Sequence, residues 1–240
     1  MIEAIAEHGK AKGTNVDVLD VSRPDWLRNA AGLLDLKYWR GELEPLPTTN
    51  WYMDKLDAKI AEATATSGGG PITLLAHSAG GWLGRVYLRE IQSPDICGVD
   101  RFVCLGSPHR PPPPGVVDQT RGILTWLEGR SPGAFHSPDV SYVTICGRAI
   151  KGIPLRASEG SAEERITGLG YRQVCGEAEV WGDGIVPVET AHLPGAHQVD
   201  LDGVYHSPIG RGERPWYGTP GTLEKWVDMI YTTNLTDAAA

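Results

Sequence analysis

Long apolar runs are missing from this chain. None of its 240 residues lies in an uninterrupted hydrophobic stretch approaching the ~18 residues of a membrane-crossing helix. The sequence therefore predicts no transmembrane segment. Basic residues are in short supply, with 22 Lys and Arg against 30 Asp and Glu and a formal charge of −8. That balance argues against nucleic-acid binding, which relies on a basic stripe. It also argues against electrostatic docking on anionic lipid. The first ten residues carry Glu3 and Glu7 and no apolar centre, so they do not read as a secretory signal. Cysteine is sparse: Cys97, Cys104, Cys146 and Cys175, none in a C-x-x-C pair. This argues against a zinc knuckle or a redox motif. Cys104 and Cys146 fall in apolar strand-like runs and read as buried free thiols, with one disulfide as the alternative. A reducing compartment is the expectation. No metal and no cofactor are expected.

What is present has the balance of an ordinary globular protein: 41% hydrophobic and 22% charged residues. The length fits a single domain spanning residues 1–240. Short β-rich runs alternate with helical patterns, which predicts an α/β fold with a mostly parallel sheet flanked by helices. The first strand is expected over Val16–Val21, then strands at Ile72–Ala76, Phe102–Leu105, Tyr142–Cys146 and Gln198–Leu201. Ile2, Ile5 and Ala6 read as a helix, as do Leu56, Ile60 and Ala63. Leu83, Val86, Tyr87 and Ile91 recur at helical spacing, and Leu223, Trp226, Val227 and Ile230 predict a closing amphipathic helix. Two stretches break the alternation. Arg110–Gly115 holds four consecutive prolines and must run extended at the surface. Residues 148–180 are rich in glycine and charge, with no long periodic run. Insertions of about 107–138 and 148–180 are therefore expected to act as lids or substrate walls.

The sharpest local signal is Leu74-Leu75-Ala76-His77-Ser78-Ala79-Gly80-Gly81. An apolar strand runs into a serine and an amphipathic helix follows, the pattern of a nucleophile elbow. The serine of such an elbow sits on a sharp turn, so the residues two before and two after must be small. Gly80 meets the second requirement, and Ala76 stands where glycine is usual. The helix behind Ser78 directs its first N–H groups at a developing oxyanion. A serine hydroxyl needs a base, and the base needs an orienting carboxylate. On this kind of scaffold the partners follow in the order Ser, acid, His. Asp183, between two glycines in Trp181-Gly182-Asp183-Gly184-Ile185-Val186-Pro187, is the candidate acid. The base belongs on the loop after the last strand, which selects His206 in Val204-Tyr205-His206-Ser207-Pro208, with His197 as runner-up. His109, in Gly106-Ser107-Pro108-His109, is expected to shape the pocket wall, and His77 to lie beside the nucleophile but directed away from it.

Taken together, AHSAGGW at 76–82, LGSPH at 105–109, GDGIVP at 182–187 and YHSP at 205–208 resemble the lipase and esterase branch of the α/β-hydrolase superfamily. Within it the chain is similar to the GPI inositol-deacylase-like group, in particular its soluble plant and algal members. VSRPDW at 21–26 and YWRG at 38–41 share that likeness, which spans residues 16 to 235. The resemblance implies an α/β-hydrolase fold and an acyl-ester hydrolase using Ser78, Asp183 and His206 on lipid-like substrates. It further implies an oxyanion hole made by the N–H of Ala79 and a second N–H from the loop after an N-terminal strand. Upstream of Val16 no apolar strand and glycine-rich loop are encoded. The expectation is a fold lacking its N-terminal strand or strands, with any targeting segment lost in the same way. A soluble protein of the cytoplasm or plastid stroma is expected, acting on a small acyl ester or lipid, and not on nucleic acid. An acyltransferase or thioesterase with the same triad, and a non-catalytic binding protein on the same fold, are the competing readings.

Overall fold

The computed structural model describes residues 1–91, 98–208 and 214–231. Cys97 lies outside them. In chain order the helices are α1 (Ile2–Ala11), α2 (Leu36–Arg40), α3 (Asn50–Ser67), α4 (Ala79–Glu90), α5 (Ile123–Arg130), α6 (Ala162–Cys175) and α7 (Val188–Ala191). The strands are β1 (Ile72–His77), β2 (Val99–Leu105), β3 (Ser141–Arg148), β4 (Ile150–Lys151), β5 (Trp181–Gly182) and β6 (His197–Asp202). A 3₁₀ segment, Arg23–Leu34, precedes α2.

The main sheet has the order β1-β2-β3-β6, and every pairing in it is parallel. Helices cover both of its faces, as expected of an α/β-hydrolase fold. Side chains of a strand alternate between faces, and β2 shows the consequence. Phe102 and Cys104 enter one core with Leu83, Val86, Tyr87 and Leu127. Val103 and Leu105 enter the other with Val143, Ile145, Tyr217 and Trp226. With both faces buried, residues 102–105 of the strand are all apolar, which is why they read as a run and not as an alternation. β4 and β5 form a separate antiparallel pair, Ile150 opposite Gly182 and Lys151 opposite Trp181. Because β1, β2, β3 and β6 are parallel, their C-terminal ends share one edge. Open α/β sheets bind ligands there.

Three expectations are corrected. Residues 16–21 form no strand, and β1 pairs only with β2 among the described residues. Val16 and Leu19 still pack against the two cores, so their apolar character serves packing without a ladder. The closing helix is instead two 3₁₀ turns, Leu223–Lys225 and Val227–Ile230. Trp226 interrupts them at φ −134°, ψ −18°, its indole buried and donating to the Tyr217 carbonyl at 2.9 Å. Residues 148–180 are not devoid of regular structure. They contain the fourteen-residue α6, started by a capping box in which Ser161 and Glu164 bond each other's backbone N–H. The free thiols of Cys104 and Cys146 are buried, as expected. Among the described residues no helix is long and apolar enough to cross a membrane.

Candidate active site

The turn from β1 into α4 forces an unusual backbone. Ser78 has φ 56° and ψ −128°, a region that costs a non-glycine residue roughly 1–3 kcal/mol. The turn is held by Ser78 N–H donating to the Leu105 carbonyl at 3.0 Å and Gly81 N–H donating to the Ser78 carbonyl at 3.0 Å. A Cβ on Gly80 would meet Ala76 at 3.5 Å, an ordinary contact between small residues. The tight position is Gly81, where a Cβ would run into the Ser107 side chain. Helix α4 therefore lies hard against the loop after β2. Buried Arg85 ties them further, donating to the carbonyls of His109 and Ser131 at 2.8 Å each.

Three expected residues meet at this edge. Ser78 Oγ lies 3.0 Å from His206 Nε2, and His206 Nδ1 lies 2.7 Å from Asp183 Oδ2. A carboxylate accepts only, so Nδ1 carries the proton and Nε2 is free to accept from Ser78. Asp183 is fully buried, and its other oxygen accepts from the N–H groups of Ile185 at 3.0 Å and Val186 at 2.7 Å. The loop that carries the acid thus also fixes its orientation. His206 N–H donates to the Asp183 carbonyl at 2.8 Å, joining the two loops. His197 lies on β6, opposite Val143, and does not enter this chain of bonds.

The other expected residues are placed differently. Ala79 lines the cavity in front of Ser78, and as the first residue of α4 its N–H has no intrahelical acceptor. His77 does not line that cavity; it stacks behind His206, with ring centroids 4.6 Å apart, and donates from Nε2 to the His206 carbonyl at 3.0 Å. Burial, and then the neighbouring His206, pushes His77 down to about 4, so it stays neutral beside the base at ordinary pH. His109 is fully buried with neither ring nitrogen hydrogen-bonded, and it is Pro108 that reaches the cavity. A second hydroxyl–imidazole–carboxylate string exists: Thr144 to His192 at 3.0 Å and His192 to Asp200 at 2.9 Å. Its hydroxyl is fully buried in the sheet and does not line the cavity at Ser78.

Sequence reasoning missed Tyr217. Its hydroxyl donates to Asp183 Oδ2 at 2.8 Å and accepts from Gly147 N–H at 2.9 Å. Nothing in Pro215-Trp216-Tyr217 signals this, because the contact is made across the fold. Tyr217→Phe should remove one of the two donors on Oδ2 and leave the Gly147 N–H unpaired. Hydrogen bonds to charged groups are worth about 1.5–3 kcal/mol. Since Ile185 and Val186 still hold the carboxylate, we expect kcat to fall on the order of 10-fold, far less than on loss of Asp183 itself. Steady-state kinetics with a melting curve on the same preparation checks it; unchanged kcat would leave Tyr217 a purely structural residue.

The cavity at Ser78 has a volume of about 520 Å³. Beyond helix α4 and the loop of Asp183, its walls come from three places. The expected insertions supply Pro112 and Ile123 from the first and Val174 from the second. The third wall, Leu33, Tyr38 and Leu43, comes from the N-terminal segment. Its only sequence signal was the Y-W-R-G likeness around Tyr38.

No protein-family model and no curated relative matches the sequence. Among solved structures the chain is similar to the mature form of the lipase BlEst2 of Bacillus licheniformis, at 22% identity and a TM-score of 0.43. The match covers 64% of this chain and spans 65% of that lipase.

Proposed function

We propose that this protein is a serine ester hydrolase acting on apolar or lipid-like acyl esters through an acyl-enzyme. The observation that carries the reading is the Ser78–His206–Asp183 chain of hydrogen bonds, at 3.0 and 2.7 Å, opening on a cavity. Ser78 Oγ attacks the ester carbonyl carbon while His206 Nε2 takes its proton. The carbonyl oxygen becomes an oxyanion facing the Ala79 N–H. The tetrahedral adduct collapses, the C–O bond to the alcohol breaks, and His206 returns the proton to the departing alkoxide. Water then attacks the acyl-Ser78 ester by the same route, releasing the acid and restoring the serine. Asp183 stays ionised throughout and stabilises the imidazolium. The strained backbone of Ser78 supports this reading, since such outliers cluster at functional sites.

The wall chemistry supports an apolar acyl group. Leu33, Leu43, Trp82, Ile123, Leu124 and Val186 line the cavity, and its volume matches that of small-molecule sites. Leu34 and Leu36, 91% and 72% exposed, flank Leu33 and Tyr38 of that wall in the sequence. The likeness to the GPI inositol-deacylase-like group points to lipid esters in the same direction. In this reading the segments at about 107–138 and 148–180 are substrate walls of a single domain.

The test is a fluorophosphonate probe with mass analysis of the adduct. Labelling confined to Ser78, lost in Ser78→Ala and accompanied by hydrolysis of 4-nitrophenyl butanoate, is the expected result. No labelling of folded protein would overturn it in favour of a non-catalytic binding protein. Labelling with alcohol acylation outrunning hydrolysis would make it an acyltransferase.

A further inference from the structure

Among the described residues, two that are not glycine have positive φ: Ser78 at 56° and Arg121 at 60°. Both line the same cavity. The strain at Arg121 is maintained by its surroundings. Asp118 Oδ1 accepts from Thr120 N–H and Thr120 Oγ1, each at 2.7 Å, and Asp118 Oδ2 accepts from Gly122 N–H at 3.0 Å. The Arg121 carbonyl accepts from Leu43 N–H at 2.8 Å, which pins this turn to the N-terminal wall. A Cβ on Gly122 would be 2.5 Å from the Gly41 carbonyl oxygen, so the two segments are in closest contact here.

The side chain also meets the N-terminal wall. The Arg121 guanidinium sits over the Tyr38 ring, 4.8 Å from its centroid, and Tyr38 lines the cavity too. Stacking occupies one face of the guanidinium and leaves its N–H edges available. Among the described residues those N–H groups make no hydrogen bond and no ion pair, in a chain with an excess of eight acidic residues. Asp118 shares the cavity, but both its oxygens are engaged inside its own turn. The cavity therefore presents one cation with its donors unspent, in an otherwise largely apolar wall.

We propose that Arg121 is a specificity-determining residue that binds an anionic group of the substrate, a carboxylate or a phosphate, while Ser78 attacks the ester. This rests on the serine-hydrolase reading of the cavity and narrows it to amphipathic esters with one acidic end. A planar guanidinium fixed over an aromatic ring matches carboxylate and phosphate geometry with two parallel N–H bonds. Such bonds orient the ester as well as hold it.

The experiment compares kcat/KM for two esters of similar length, 4-nitrophenyl butanoate and the 4-nitrophenyl half-ester of glutaric acid. It uses the wild-type chain, Arg121→Gly, Arg121→Lys and Arg130→Gln. Glycine accepts φ near +60° freely, so Arg121→Gly removes the cation while relieving backbone strain and should fold. The ratio of anionic to neutral ester should fall at least 10-fold in Arg121→Gly and less in Arg121→Lys. Arg130→Gln should leave it where it was: Arg130 also stacks on an aromatic ring, Trp126 at 4.8 Å, but lies outside the cavity. A second measurement needs no turnover: octyl phosphate and octanoate, against octanol, are titrated into Ser78→Ala and into Ser78→Ala/Arg121→Gly while Tm is followed. Stabilisation by either anion that depends on Arg121 supports the proposal, and the stronger of the two identifies phosphate or carboxylate. An unchanged ester ratio, with equal stabilisation by all three amphiphiles, overturns it. Loss of the hydrolase reading would show separately, as no labelling and no turnover of the neutral ester by wild type.

Discussion

His206→Ala and Asp183→Asn should each lower ester turnover on the order of 10⁴-fold while leaving the chain folded. The size follows from what each side chain does. Among the described residues no side chain other than His206 is hydrogen-bonded to Ser78 Oγ to take its proton: His77 is stacked behind the base with its Nε2 committed to the His206 carbonyl. Without the Asp183 charge, a neutral amide faces His206 Nδ1. The carboxamide oxygen can still accept, but the NH₂ group would meet either the Nδ1–H and Tyr217 side or the two backbone N–H donors of Ile185 and Val186. Either way a donor confronts a donor: in the first orientation the imidazole loses the tautomer that the reaction needs, in the second the side chain is pushed off its two backbone donors, and in both the charge that stabilises the imidazolium is gone. Ser78→Ala should cost at least as much, and the double variant His206→Ala/Ser78→Ala no more than the worse single one, because the members act as a unit. Single-turnover hydrolysis of 4-nitrophenyl butanoate, with far-UV circular dichroism as the folding control, measures this. If His197→Ala inactivated the protein and His206→Ala did not, the base would be misassigned.

The parts of this site that local sequence could reveal are those built by local rules. A strand running into Ser78 and a helix out of it obeys a steric pattern confined to about eight residues, and both elements lie where that pattern put them. The Asp183 turn and the His206 loop were accessible because chain order on such a sheet limits the choices. Tyr217 and Arg121 were not, because their contacts are long-range. Tyr217 reaches Asp183 over 34 positions of sequence, and Arg121 meets Tyr38 from a different segment. The expected strand at 16–21 failed for a related reason. A run such as Val16, Val18 and Leu19 shows that a segment is apolar, but a strand exists only where a neighbour offers its N–H and C=O groups. The closing helix failed because periodicity counts Trp226 as one more apolar position and cannot see its indole bond to the Tyr217 carbonyl, made where the chain breaks between the two 3₁₀ turns.

Gly106→Ala should reduce turnover on the order of 10²-fold, an effect that no motif containing Gly106 explains. The residue follows β2 in the loop that faces the acid and the base, with φ +50°. A Cβ there would stand 2.5 Å from Asp183 Oδ2, 2.6 Å from the Tyr217 hydroxyl and 3.1 Å from His206 Nδ1. Carbon does not tolerate oxygen at 2.5 Å, so something must shift. The backbone at Gly106 is held by its N–H bond to the Ile145 carbonyl at 2.8 Å, inside the sheet. Asp183 and His206 are the parts that can give way, and they meet at 2.7 Å. Displacing reacting groups by about 1 Å can cost 10²-fold in rate. The left-handed backbone adds strain of roughly 1 kcal/mol or more for alanine, so Tm should fall as well. Gly129→Ala is the matched control. Gly129 lies in α5 with nothing within 4 Å of an added Cβ, and alanine there should stabilise by about 1 kcal/mol without touching the site. Measuring kcat at a temperature where both variants are folded separates geometry from stability. If Gly106→Ala kept wild-type turnover, the acid and base would not be packed against this loop as described, and the hydrogen bond between them would owe nothing to the missing Cβ.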